Sequence, residues 1–239
     1  QQQTQQQTQQ QQTQQQQMQK PMPEDHSEPW VVRWIDYTSK YGMGYILSNG
    51  LLGILFNDST KIILSPSGQH FDYINRRSSD RVEVQSTHTL SEFPEDLTKK
   101  VTLVRHFKSY LLSQNAEKKE SAYLGESGFG EPVRHCQPLF LPGEAPYVKK
   151  WSRTKHAAIF MFSNKVVQVV FNDKTEILMT SRQQSCTYLD KRGESATYPV
   201  ESPSAELSKR LKYLKDAMSS LMNGSQRPAA PTTASCGGA

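Results

Sequence analysis

The 239-residue sequence predicts an α+β fold built from two copies of one folding unit. Three observations predict it: an internal repeat, short apolar runs set apart by turn residues, and a helical apolar stripe closing each copy. The segment YILSNGLLGILFNDSTKIILS, Tyr45 to Ser65, returns as FMFSNKVVQVVFNDKTEILMT, Phe160 to Thr180, at a constant offset of 115 that places Phe171 on Phe56. Chemically matched residues at nearly every aligned position mark a duplicated unit. Tyr73 and Ile74 meet Tyr188 and Leu189 at the same offset, while Trp34 and Trp151 lie upstream at an offset of 117.

Taken in chain order, the first nineteen residues are Gln, Thr and one Met without a charge, too polar to offset the chain entropy of folding. This tract is expected to be disordered, as a flexible spacer or a self-association segment. Residues 1–29 form this tract and its linker, and the folded part is expected to begin near Trp30. Tyr45 to Leu47, Leu51 to Phe56 and Lys61 to Leu64 are apolar runs separated by Ser48-Asn49-Gly50 and Asn57-Asp58-Ser59-Thr60. Asn-Gly favours a hairpin because both residues tolerate positive φ, so the runs read as an antiparallel meander. Leu97, Val101, Val104 and Leu111 then fall on one helical face.

Residues 113–145 carry Gly and Pro without sustained periodicity and read as a connector, long enough to be functional or mobile. In the second copy Phe160 to Phe162, Val166 to Phe171 and Ile177 to Met179 repeat the strands, with Lys165 in place of the hairpin glycine. Leu207, Leu211, Leu214 and Leu221 repeat the helical stripe. A sheet with one helix buries only one face well, so the two units are expected to pack on each other. Residues 223–239 read as a flexible tail.

Composition narrows the function. The formal charge of +5 is a mild basic excess without runs of Lys and Arg interleaved with aromatics, so no specific nucleic acid is expected as a partner. Three cysteines, Cys136, Cys186 and Cys236, lack metal-ligand spacing and read as reduced thiols of an intracellular protein. No stretch of the ~20 apolar residues that cross a bilayer occurs, so no membrane partner is expected. Glycine-rich phosphate loops, kinase motifs, GxSxG turns and metal-binding helix pairs are all missing. The chain therefore reads as a binding module with no cofactor.

The stretches Trp30-Val31-Val32-Arg33-Trp34-Ile35-Asp36-Tyr37, Lys40 to Tyr45, and Gly53 to Thr60 resemble the first polo box of polo-like kinases. Lys100 to Phe107 resembles its helix, and Trp151 to Lys155 with Val169 to Thr175 resembles the second box. The resemblance implies a polo box at 30–112 and another at 146–222, each a six-stranded antiparallel sheet plus one helix, packed as a β-sandwich. It further implies a non-catalytic targeting and regulatory module that restrains the serine/threonine kinase domain of the same polypeptide. Centrosome, basal body, division structures and nucleus are the implied locations.

In this family, ligands are Ser-pSer or Ser-pThr peptides held between the boxes. On this sequence the resemblance places the contacts at Trp34, Asp36, Leu103, Arg153, Asn172, Lys174 and Glu176. Trp34 would pack on the ligand or serve as a core aromatic. The family's phosphate clamp is a His and a Lys two residues apart, matched here by Lys174 and Glu176. Strand alternation would put both side chains on one face, where Glu176 would repel a phosphate. A solvated surface pair is the other reading, and binding of unmodified partners or self-association is the alternative function.

Overall fold

In the computed structural model, which describes residues 28–80, 82–112, 124–126, 143–180, 184–201 and 203–222, the first copy is a meander of six strands. These are β1 (Val31–Tyr37), β2 (Gly42–Leu47), β3 (Leu52–Phe56), β4 (Lys61–Leu64), β5 (His70–Arg76) and β6 (Glu83–Thr89), followed by helix α1 (Thr98–Leu112). The connector contributes a short strand, β7 (Leu124–Glu126), which pairs with the outer edge of β1 and extends the sheet to seven strands. The second copy repeats the plan with β8 (Val148–Arg153), β9 (Ala157–Phe162), β10 (Val167–Phe171), β11 (Glu176–Thr180), β12 (Ser185–Leu189), β13 (Ser195–Pro199) and helix α2 (Ala205–Met222). The Gln-rich tract, the tail, and Cys136 and Cys236 lie outside the described residues; Cys186 is buried with a free thiol.

Each sheet carries its own helix on one face and meets the other sheet on the opposite face. Strands covered on both faces need apolar residues at successive positions rather than in alternation. That requirement accounts for the unbroken burial of β2 and β4. Val101, Val104, Phe107 and Leu111 of α1 pack on Ile35, Ile46, Ile54 and Ile62, while Leu207 and Leu214 of α2 pack on Ile159, Val169 and Ile177. Between the sheets, Val31, Trp34, Met43, Tyr45 and Leu47 interlock with Val148, Ala158, Phe160, Phe162 and Leu178. Gly44 lets the helix approach, since a methyl group there would overlap the Phe107 ring.

The turns show how little the duplication depends on identity. Gly50 adopts φ 82, and its repeat equivalent Lys165 takes φ 68 despite its side chain. Asn49 keeps negative φ, so this hairpin turns on one left-handed residue rather than the two that Asn-Gly permits. Ser59 and Lys174, equivalent in the next turn, both have φ 68. That turn also anchors each helix. Asp58 accepts from the amide and hydroxyl of Thr60, and Asp173 does the same with Thr175. Lys100 of α1 then binds Asp58 and lies 4.4 Å over the Phe56 ring; Arg210 of α2 binds Asp173 and lies 4.8 Å over Phe171.

Candidate functional site

The space between the sheets is built from repeat-equivalent residues that have diverged. Trp34 faces Tyr45 across β1 and β2, and Trp151 faces Phe160 across β8 and β9. Phe160 takes the Trp34 ring edge-on at 5.1 Å and stacks on Trp151 at 6.3 Å, so the three rings form one aromatic seam. Trp34 is 7% exposed. Its indole thus forms part of the core between the sheets, whatever further contact it makes.

Polar bonds close the seam on both sides. The Val148 amide donates to the Tyr45 hydroxyl at 2.9 Å, and burial pushes the Tyr45 pKa far up, so the phenol stays neutral. In the other direction Gln168, fully buried, accepts from the Val31 amide at 2.8 Å and donates to the Val31 carbonyl at 2.9 Å. Its amide completes the main-chain pairing of Val31 as a strand partner would.

Glu176 lies beside this Gln168, with Oε2 3.4 Å from Nε2, and is 1% exposed. Both sequence expectations for the pair are therefore corrected. Lys174 precedes β11 in the left-handed position of an exposed turn, whereas Glu176 begins the strand and points inward. Alternation fails because the chain is not yet extended at Lys174, so the two side chains do not share a face. Nor is Glu176 a solvated surface charge.

Its repeat equivalent, offset by 115, is Lys61, also buried at 3% exposure. Lys61 is paired with Glu83 at 2.8 Å, and Glu83 in turn accepts from the Tyr147 hydroxyl at 2.9 Å. This network ties β4 and β6 to the segment leading into β8. Burial works against the Glu83 carboxylate, but the Lys61 ammonium and Tyr147 hydroxyl outweigh it and hold its pKa below the usual range. The Tyr147 phenol is pushed up by burial and by that carboxylate.

The remaining predicted contacts fall outside the seam. Leu103 packs on the helix side of the first sheet, opposite the face that carries Trp34. Asp36 accepts from the amide and hydroxyl of Thr38 and fixes the turn after β1. Asn172 donates to the Lys155 carbonyl at 2.8 Å, as Asn57 does to the Thr38 carbonyl in the first copy, so its visible role is to join two turns. Arg153 is exposed at the end of β8. Gln168, Tyr45, Lys61, Glu83 and Tyr147 were not anticipated. One signal was available: opposite charges, Lys61 and Glu176, at equivalent positions opening otherwise apolar strands.

A family model described as "POLO box duplicated region" matches residues 39–101 and 154–211. The probable serine/threonine-protein kinase CCRP1 of Zea mays is 42% identical over 166 residues, which cover 70% of this chain and 24% of that protein. Serine/threonine-protein kinase PLK1 of Xenopus tropicalis is 32% identical over 200 residues, covering 81% and 31%. The chain thus spans about a quarter to a third of these relatives' lengths. Among solved structures, the budding yeast Cdc5 polo-box domain in complex with an Spc72 phosphopeptide superposes with a TM-score of 0.61 at 24% identity, covering 83% of this chain and 71% of that one. Duplicated sequence, duplicated fold and duplicated family match agree: this chain belongs to the polo-box family and carries two polo boxes in tandem.

Proposed function

We propose that the chain is the targeting module of a polo-like serine/threonine kinase and that it docks partner proteins between its two boxes, beside Trp34. The family membership and the strong relatives that are kinases support this, as does a sequence without kinase motifs. The observation that carries the reading is the diverged seam between the sheets. Phe160 is fully buried beneath the two indoles, so a partner would meet the half-buried Trp151 and the remaining edge of Trp34, the residue class that anchors binding interfaces. Restraint of the parent's kinase domain in cis belongs to the same reading.

The partner segment is proposed to be a Ser-pSer or Ser-pThr peptide, with exposed Lys174 and Arg153 supplying positive charge at the rim. The buried Glu176 favours a second reading, in which the partner is unmodified. A carboxylate in the place of the clamp lysine adds repulsion to a ligand that carries roughly 1.5 to 2 negative charges. Calorimetric titration with a Ser-pThr peptide and its unphosphorylated twin separates the two. Tighter binding of the phosphorylated form supports the first reading. Equal affinities for the native chain, with phosphate preference appearing only in Glu176→Lys, support the second. Binding of neither peptide at any concentration contradicts the peptide-docking function itself.

A further inference from the structure

Among the described residues, the strand added by the connector has no counterpart in the second copy. β7 pairs antiparallel with β1, setting Glu126 opposite Arg33, Gly125 opposite Trp34 and Leu124 opposite Ile35. The equivalent strand of the second unit, β8, is the last strand of its sheet, with no further strand on its outer side among the described residues. Six strands are common to both units, and the pairing on β1 is an addition to that shared plan. A strand at a sheet edge offers a row of unpaired N–H and C=O groups to any extended segment.

Three further facts bear on what β7 does there. It covers three of the seven residues of β1, and its partners centre on Trp34, the residue at which the aromatic seam meets the edge. In sequence, 11 residues separate it from α1 and 21 from β8, and among the described residues it pairs with β1 alone. Among the described residues, its removal thus requires no other element to unpair. Finally, its bonds to β1 are main-chain bonds, available equally to any other extended segment.

We propose that Leu124–Glu126 is an internal occupant of a strand-addition site, and that a partner segment binds in extended form along β1 by displacing it. This rests on the reading that partners dock beside Trp34. Leu124–Glu126 holds the edge closed in the free chain, so short extended segments that offer only backbone pairing do not bind. A partner enters when contacts in the seam add to that pairing. Because the occupant is tethered, it competes at the high effective concentration of an intramolecular segment and lowers the apparent affinity of every partner by the fraction of time the edge is open.

The test uses the full chain and the triple variant Leu124→Pro, Gly125→Pro, Glu126→Pro, which removes every backbone donor of β7. Two probes are titrated by calorimetry: a synthetic peptide of residues 121–128 and a Ser-pThr peptide. The 121–128 peptide is expected to bind the variant and not the native chain, and the Ser-pThr peptide to bind the variant about tenfold more tightly or better. Binding of the 121–128 peptide with no binding of the Ser-pThr peptide to either form upholds the edge site and overturns only the phosphopeptide reading. Failure of the 121–128 peptide to bind a variant with native circular dichroism overturns the proposal. Amide exchange on the native chain gives a check without mutation. Amides 124–126 must exchange far faster than those of the central strand β3, and equal protection of the two overturns the proposal as well.

Discussion

At the scale of single residues, the site depends on polar groups placed where the sequence reads as ordinary strand. Gln168 satisfies both main-chain groups of Val31 across the interface. Gln168→Ala would leave that amide and carbonyl buried without partners, a loss of about 1–3 kcal/mol. Urea unfolding would show it, and the unchanged midpoint of a neutral substitution would contradict it. Lys165 points the other way. Its φ of 68 is the conformation Gly50 takes without penalty in the first copy. Lys165→Gly is therefore expected to raise stability by about 1 kcal/mol, read as a higher unfolding midpoint. Burial of Lys61 and Glu176 was not legible in the sequence, because a charge at the first position of a strand is normally solvated. Only its recurrence at one offset, with the sign reversed, hinted at it.

At the scale of elements, legibility followed burial. The runs at β2 to β4 and β9 to β11 stood out because both faces are covered, whereas β6 and β13 are polar on most of their exposed length and show no pattern. β7 could not be read at all, since three residues acquire strand form from their partner rather than from propensity. The helix anchors are readable in retrospect, as both copies set a cation of the helix over a phenylalanine and against a turn aspartate. Partial burial raises the pKa of Asp173, but Arg210 and the Thr175 hydroxyl and amide outweigh it and bring it from 3.8 to about 2. A carboxyl lowered in the folded state contributes stability above its unfolded pKa and loses it as pH falls through the folded one. The stability gap between the native chain and Asp173→Asn is thus expected to be constant above about pH 5 and to shrink between pH 4 and 2. Chemical unfolding across that range measures it, and a gap independent of pH would contradict the role of the ion pair.

At the scale of the whole molecule, the duplication determined most of what could be foreseen. Two sheets with one helix each have two uncovered faces, and joining them buries both. That pairing was legible because the repeat and the two helical stripes were. The surfaces along which the copies diverged were not, since divergence appears as an unremarkable substitution until its neighbours in space are known. Trp34, Phe160 and Trp151 converge although 126 positions separate the first from the second. Among the described residues no helix is long and apolar enough to cross a membrane. Docking of partners between the boxes along β1 is decided by a crystal structure of the chain with the tightest-binding peptide from the titrations. An extended peptide paired with β1 and seated against the Trp34 edge is expected; a peptide seated on the outer face of the second box, at the His156 and Tyr213 hollow beside α2, would rule that docking mode out.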